Sequence, residues 1–294
     1  MKRFLKPVLL LWLASCGVSI AQPGYTPGSN PVGPDSWWWD AAWWEQGQIP
    51  TAQNHTVATK WLEYDSGDAS VPAMLAYPAD GGKYPAVLYQ HGRRGLDDWI
   101  QGQVRRLAAR GFVVLAPDVF SGRFIEKMPI EHDYETEKDV AAGVPVLLGQ
   151  PNVSSSKACF ASHTRGGYMT LKAATTHGMQ DQGIACYVAW YPHVQDPNAP
   201  EPMQVYRYAS EADRLQIPVL VFIGEEEQYQ RRRSIETAID SLRDAGKPAR
   251  LVIYPGVGRG FDFRPPHVRT FADDLASQDS MRRAAVFIRE HLAD

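Results

Sequence analysis

Four short segments concentrate the side chains able to do chemistry. They are His91-Gly92-Arg93-Arg94-Gly95, Ser162-His163-Thr164-Arg165-Gly166-Gly167, Gly224-Glu225-Glu226-Glu227 and Pro255-Gly256-Val257-Gly258-Arg259-Gly260-Phe261. The hydroxyls and imidazoles are the parts of a nucleophile–base pair. A hydroxyl is a weak nucleophile until a neighbouring base takes its proton, and histidine serves because it titrates near neutrality. The arginines offer a second chemistry. Arg93, Arg94, Arg165 and Arg259 lie on loops, and a guanidinium grips carboxylate, sulfate or phosphate in a bidentate manner.

Each segment follows a predicted strand. Tyr84 to Tyr89, Ala158 to Ala161, Val219 to Ile223 and Arg250 to Tyr254 are apolar runs of strand length. Trp61 to Tyr64, Val71 to Tyr77, Phe112 to Ala116 and Ile184 to Tyr191 read as further strands. Helical periodicity marks Trp99 to Ala109, stopped by Gly111, and a partly helical Tyr134 to Leu148. It also marks Gly166 to His177, a helix through Ile235, Ile239 and Leu242, and a last one through Met281, Ala285, Ile288 and Leu292. Alternation of this kind predicts a mostly parallel sheet with helices on both faces. In such sheets sites form at the C-terminal strand ends, where the four segments fall.

From about Trp61 to the C-terminus, the order and spacing of these motifs resemble the dienelactone hydrolase family of α/β hydrolases. That family reads G-x-C-x-G-G at the nucleophile, G-x-x-D after a later strand and a G-x-G-H-G-F-like turn near the end. The resemblance implies an α/β-hydrolase fold and hydrolysis of a carboxylic ester or lactone. It puts Thr164 at the nucleophile position, Glu227 at the acid position and Arg259 where the histidine is expected. It also implies an oxyanion hole from the backbone N–H groups of Arg93 and Arg165, donors that need no particular side chain. The helix opening at Gly166 points its positive end at the same spot. Ser162 replaces the first glycine of the nucleophile motif. Threonine adds a methyl group at a strained turn. Arginine stays protonated and has no acceptor atom, so it cannot serve as the base.

Three functional readings follow. In the first, the chain binds an anionic ligand without cleaving it, and Arg259 pairs with Glu227. In the second, a working hydrolase uses Ser162 or Thr164 with a substitute base, His267, His91 or His163; this requires an imidazole within about 3 Å of the hydroxyl, or one water away. In the third, the fold is a scaffold for a surface or partner-binding protein. The expected partner is a small-molecule substrate or anionic ligand. No zinc spacing, phosphate loop or dinucleotide fingerprint occurs, so neither metal nor cofactor is expected. Glu131-His132 and the acidic Glu135 to Asp139 run read as a solvated helix face.

The 294 residues, 44% hydrophobic and 21% charged with net charge -3, suit one large folded domain and argue against a nucleic-acid surface. Residues 1–21 read as an export signal, with Lys2, Arg3 and Lys6 ahead of an apolar stretch. Cleavage after Ala21 would give a periplasmic or secreted protein. Leu13-Ala14-Ser15-Cys16 resembles a lipobox, which would make a lipid on Cys16 the only membrane attachment. Residues 22–60 form a Pro-, Gly- and Trp-rich extension; residues 61–294 form the α/β domain. The tryptophans of Trp37 to Trp44 either pack over the domain or form an exposed aromatic patch. Cys159 and Cys186 lie in apolar strands and are expected to be buried thiols in preference to a bridge.

Overall fold

The computed structural model describes residues 54–293. The signal, Cys16 and the Trp37 to Trp44 cluster lie outside the described residues. Each apolar run becomes a strand: β1 (Val57–Ser66), β2 (Ala69–Pro78), β3 (Tyr84–Gln90), β4 (Val113–Pro117), β5 (Val153–His163), β6 (Ile184–Trp190), β7 (Val219–Glu226) and β8 (Ala249–Gly258). They form a single sheet in the order β1-β2-β4-β3-β5-β6-β7-β8. β1–β2 and β2–β4 are antiparallel, and every later pair is parallel. β1 begins at Val57, before the expected Trp61, and His55 N–H donates to Ala109 O at 2.7 Å. The sheet therefore takes in part of the expected extension. The mixed pattern of Val57-Ala58-Thr59-Lys60 hides this, since an edge strand buries little.

The helices that cover the sheet are α1 (Asp98–Ala109), α2 (Glu135–Leu148), α3 (Arg165–Thr175), α4 (Tyr229–Asp244) and α5 (Phe271–Leu292), with shorter helical turns between them. α1 is capped by Asp97, whose carboxylate accepts from Ile100 N–H, and Gly111, two residues past its last turn, has φ +85°. Ile100, Val104 and Leu107 form its buried stripe. α5 starts well before Met281. Thr270 and Asp273 form a reciprocal capping box there, and the first turns carry too few apolar residues to show a period.

Two expectations are corrected. The acidic segment of α2 is not a solvated face: Glu137 and Asp139 are buried. Asp139 takes the Arg123 guanidinium, with Nε to Oδ2 at 2.5 Å, and Glu137 meets His132 Nε2 at 3.0 Å. Pairing and hydrogen bonding are what permit carboxylates there. Cys159 and Cys186 are also not free thiols but a disulfide. They are register partners on adjacent parallel strands, so both side chains leave the same face of the sheet, with Cα atoms 4.6 Å apart. That pairing depends on which strands are neighbours, which the apolar runs alone do not specify. No helix among the described residues is long and apolar enough to cross a membrane.

Candidate functional site

β5 ends at His163 and α3 begins at Arg165; between them Thr164 adopts φ +51°, ψ -121°. A β-branched residue at positive φ is an outlier costing about 1–3 kcal/mol, so its surroundings must hold it there. Thr164 N–H donates to Trp190 O at 3.2 Å, and Thr164 O accepts from Gly167 N–H at 3.0 Å and His193 N–H at 2.8 Å. Glycines permit the close approach. A β-carbon on Gly92 would stand 1.7 Å from Thr164 Oγ1, one on Gly166 2.5 Å from Gln90 O, and one on Gly167 2.3 Å from Pro192 Cβ.

The backbone N–H groups of Arg93 and Arg165 donate to no protein acceptor among the described residues. They are available as oxyanion donors, beside the N-terminus of a helix of 11 residues. The two side chains go elsewhere. Arg93 Nε and Nη2 donate to Pro129 O and Met128 O at 2.7 and 2.8 Å. Arg165 donates to Pro129 O, Glu131 O and Ile130 O at 2.9–3.1 Å. Burial and then Arg93 push Arg165 down to about 10, which still leaves it charged at neutral pH. The expected gripping of a ligand by these two guanidiniums is thus not available, because the 128–131 loop has taken them. Arg94 is likewise paired, with Asp97 at 2.6 Å.

Arg259 meets Glu227, with Nη1 to Oε2 at 3.0 Å; the Glu227 side chain is 0% exposed and that of Arg259 21%. Glu227 also accepts from Gln228 N–H at 3.0 Å. The guanidinium lies 5.2 Å over the Tyr191 ring, and its Nη2 is buried with no hydrogen-bond partner among the described residues. The ion pair thus occupies the place where the resemblance puts acid and histidine.

Thr164 opens into a cavity of about 330 Å³. Trp99, Ile100, Met128 and Phe263 supply an apolar wall; Arg231, Arg259 and His193 supply a polar one. Arg231 was not visible as a site residue in the sequence, since it sits in the first turns of α4. It donates to Gln195 Oε1 at 2.7 Å, and burial together with Arg259 pushes it down to about 10. Among the described residues Arg231 makes no ion pair with a carboxylate, so the cavity lining carries positive charge and suits a ligand with an anionic group.

The histidines sort by what holds them. His267 is exposed, outside the cavity lining, in a turn closed by Val268 N–H and Arg269 N–H onto Pro265 O at 3.0 and 3.1 Å. The structure does not bring this proposed substitute base to Thr164. His91 Nδ1 donates to Gly92 O at 2.8 Å, and the ring is buried beneath the loop. His163 is engaged at both nitrogens: Nε2 donates to Asp262 Oδ2 at 2.8 Å, and Nδ1 meets the Tyr89 hydroxyl at 2.5 Å. Asp262 also takes the Tyr191 hydroxyl, and Trp190 stacks on the His163 ring at 4.8 Å. Ser162 is buried and accepts from Thr170 Oγ1 at 3.2 Å, away from the cavity lining.

His193 remains, and sequence reasoning missed it. It follows β6 in Tyr191-Pro192-His193, within no recognisable motif. It lines the cavity with Thr164, and among the described residues its Nδ1 is buried without a partner and no group engages its ring by a hydrogen bond. Burial, then Arg259, Arg231, Arg165 and Arg93, hold its pKa well below 6.5. The only available signal was topological: β6 lies beside β5, so its end must approach Thr164.

Residues 71–292 match the dienelactone hydrolase family model. A Methylorubrum extorquens protein named "Putative carboxymethylenebutenolidase" is 27% identical over 247 residues, covering 78% of this chain and 81% of that protein. A Bradyrhizobium protein named "Probable 2-oxo-3-(5-oxofuran-2-ylidene)propanoate lactonase" is 25% identical, covering 81% of this chain and 96% of its own. Among solved structures, the dienelactone hydrolase-like promiscuous phosphotriesterase P91, from metagenomic libraries, superposes with TM-score 0.63 at 19% identity. It covers 81% of this chain and 99% of its own, a likeness of fold.

Proposed function

The chain belongs to the dienelactone hydrolase family, and from that premise we propose that it hydrolyses a carboxylic ester or lactone bearing an anionic group, with Thr164 as nucleophile. The observation that carries this is the Thr164 turn. A strained β-branched residue places a hydroxyl at the cavity, beside two N–H groups that have no acceptor among the described residues. Such strain persists where the surroundings over-determine it, and it clusters at functional sites. The apolar wall would take the acyl or ring portion of the substrate, while Arg231 and the unpartnered Nη2 of Arg259 would take its anionic group.

The test is turnover of activated esters and simple lactones by the wild type and by Thr164→Ala. Hydrolysis in the wild type, lost in Thr164→Ala by a factor of about 10³ or more, is the expected result. Equal rates in both would exclude Thr164.

A second reading has one observation in its favour. The Arg259–Glu227 pair fills the family's histidine–acid position, which suits a protein that holds an anion without cleaving it. Wild-type inactivity together with activity gained in Arg259→His would favour that reading. Export also belongs to the proposal. The N-terminal residues support it, and the disulfide is compatible with it, because such bonds persist in oxidising compartments. Intact mass of the mature chain separates a start at Gln22 from a lipid adduct on Cys16.

A further inference from the structure

We infer that His193 is the general base of this site, taking the Thr164 hydroxyl proton as Oγ1 attacks the substrate carbonyl. This rests on the hydrolase reading above and supplies the part that Arg259 cannot. His163 and His193 are the histidines that line the cavity. His163 is consumed at both nitrogens by Tyr89 and Asp262. Among the described residues His193 is engaged at neither, and it is fixed next to the nucleophile by its own N–H on Thr164 O at 2.8 Å. Its backbone position is thus set by the residue it serves. A buried imidazole nitrogen without a partner is unfavourable, and a substrate-dependent proton transfer gives that side chain a use.

Burial first, and the surrounding positive charge second, keep the imidazole in its neutral, proton-accepting form. The groups acting on it are Arg259 on the loop after β8, Arg231 on α4, Arg165 at the start of α3 and Arg93 on the loop after β3. Glu227 offsets Arg259 in part through their ion pair.

The steps balance as follows. Thr164 Oγ1 forms a bond to the acyl carbon while its proton passes to His193. The oxyanion sits on the Arg93 and Arg165 N–H groups. Collapse breaks the acyl C–O bond, and His193 returns the proton to the leaving alkoxide. Water then adds to the acyl-threonine, giving its proton to His193. The second collapse releases the acid, and the proton goes back to Thr164 Oγ1.

The experiment measures p-nitrophenyl acetate hydrolysis by the wild type, Thr164→Ala, His193→Gln, His193→Ala with and without added imidazole, and His267→Ala. His193→Gln is expected to lower kcat by about 10²-fold or more with little change in KM, imidazole to restore part of the rate of His193→Ala, and His267→Ala to match the wild type. A folded His193→Gln variant with wild-type kcat overturns the base assignment while leaving the hydrolase reading intact. Wild-type turnover no higher than that of Thr164→Ala overturns both. Thermal melts report whether each variant folds. Should the His193 variants not fold, the wild-type pH profile decides. Activity must fall as pH drops through the pKa of the base, so an acid limb well below 6.5 is expected, and a limb at or above 6.5 overturns the assignment.

Discussion

Thr164 carries two demands that oppose each other. Its hydroxyl is needed at the cavity, and its β-branched side chain is unfavourable at φ +51°. Glycine at this position removes the unfavourable torsion and the hydroxyl together. Thr164→Gly is therefore expected to raise unfolding stability by about 1 kcal/mol while abolishing turnover, measured by denaturant titration and the ester assay in parallel. A loss of stability would mean that the hydroxyl and methyl contacts outweigh the torsional cost. Arg259 shows a different balance. Its pairing with Glu227 was legible from charge and motif position alone. The fates of Arg93 and Arg165 were not, because the acceptors they found are main-chain carbonyls of the 128–131 loop, a partner type that residue identities do not announce.

At the scale of elements, the strands and helices that build the site were readable because each is bounded by turn residues. Two features were hidden. The onset of α5 at Phe271 depends on a polar capping box, and the burial of Asp139 depends on Arg123 reaching it from elsewhere in the chain. His193 was hidden for a related reason: its importance comes from β6 lying beside β5, and neighbour relations are not local in sequence. Two glycines, one on the loop after β3 and one within α1, give a matched pair of tests. Gly92→Ala puts a methyl 1.7 Å from Thr164 Oγ1 and 3.0 Å from His163 O. It should lower kcat/KM about 100-fold and lower Tm. Gly102, within α1, has nothing within 4 Å of an added β-carbon. Gly102→Ala should stabilise by roughly 0.5–1 kcal/mol without altering kcat/KM. Equal effects at the two positions would mean that close packing at the turn is not what Gly92 supplies.

The strands of the described residues form a single sheet, with a covalent tie between its neighbouring strands β5 and β6. A crosslink spanning 27 residues restricts the unfolded chain, an effect of about 2–4 kcal/mol. The double substitution Cys159→Ala and Cys186→Ala is expected to destabilise the protein by that amount or more, since it also trims buried side chains. Denaturant midpoints of the two forms measure it; an unchanged midpoint would show that the bridge contributes no net stability.

The two arginines behind Thr164 join this global picture to the reaction. In the proposed mechanism each offers its amide to the oxyanion, and each holds the rim segment 128–131 with its side chain. Rim and donors therefore form one lever. On that mechanism, a ligand large enough to lift Met128 would tug on the residues that steady the oxyanion, and a poor fit at the mouth would be felt as a slower reaction in the interior. Selectivity for substrate shape would then be enforced through rate rather than through binding.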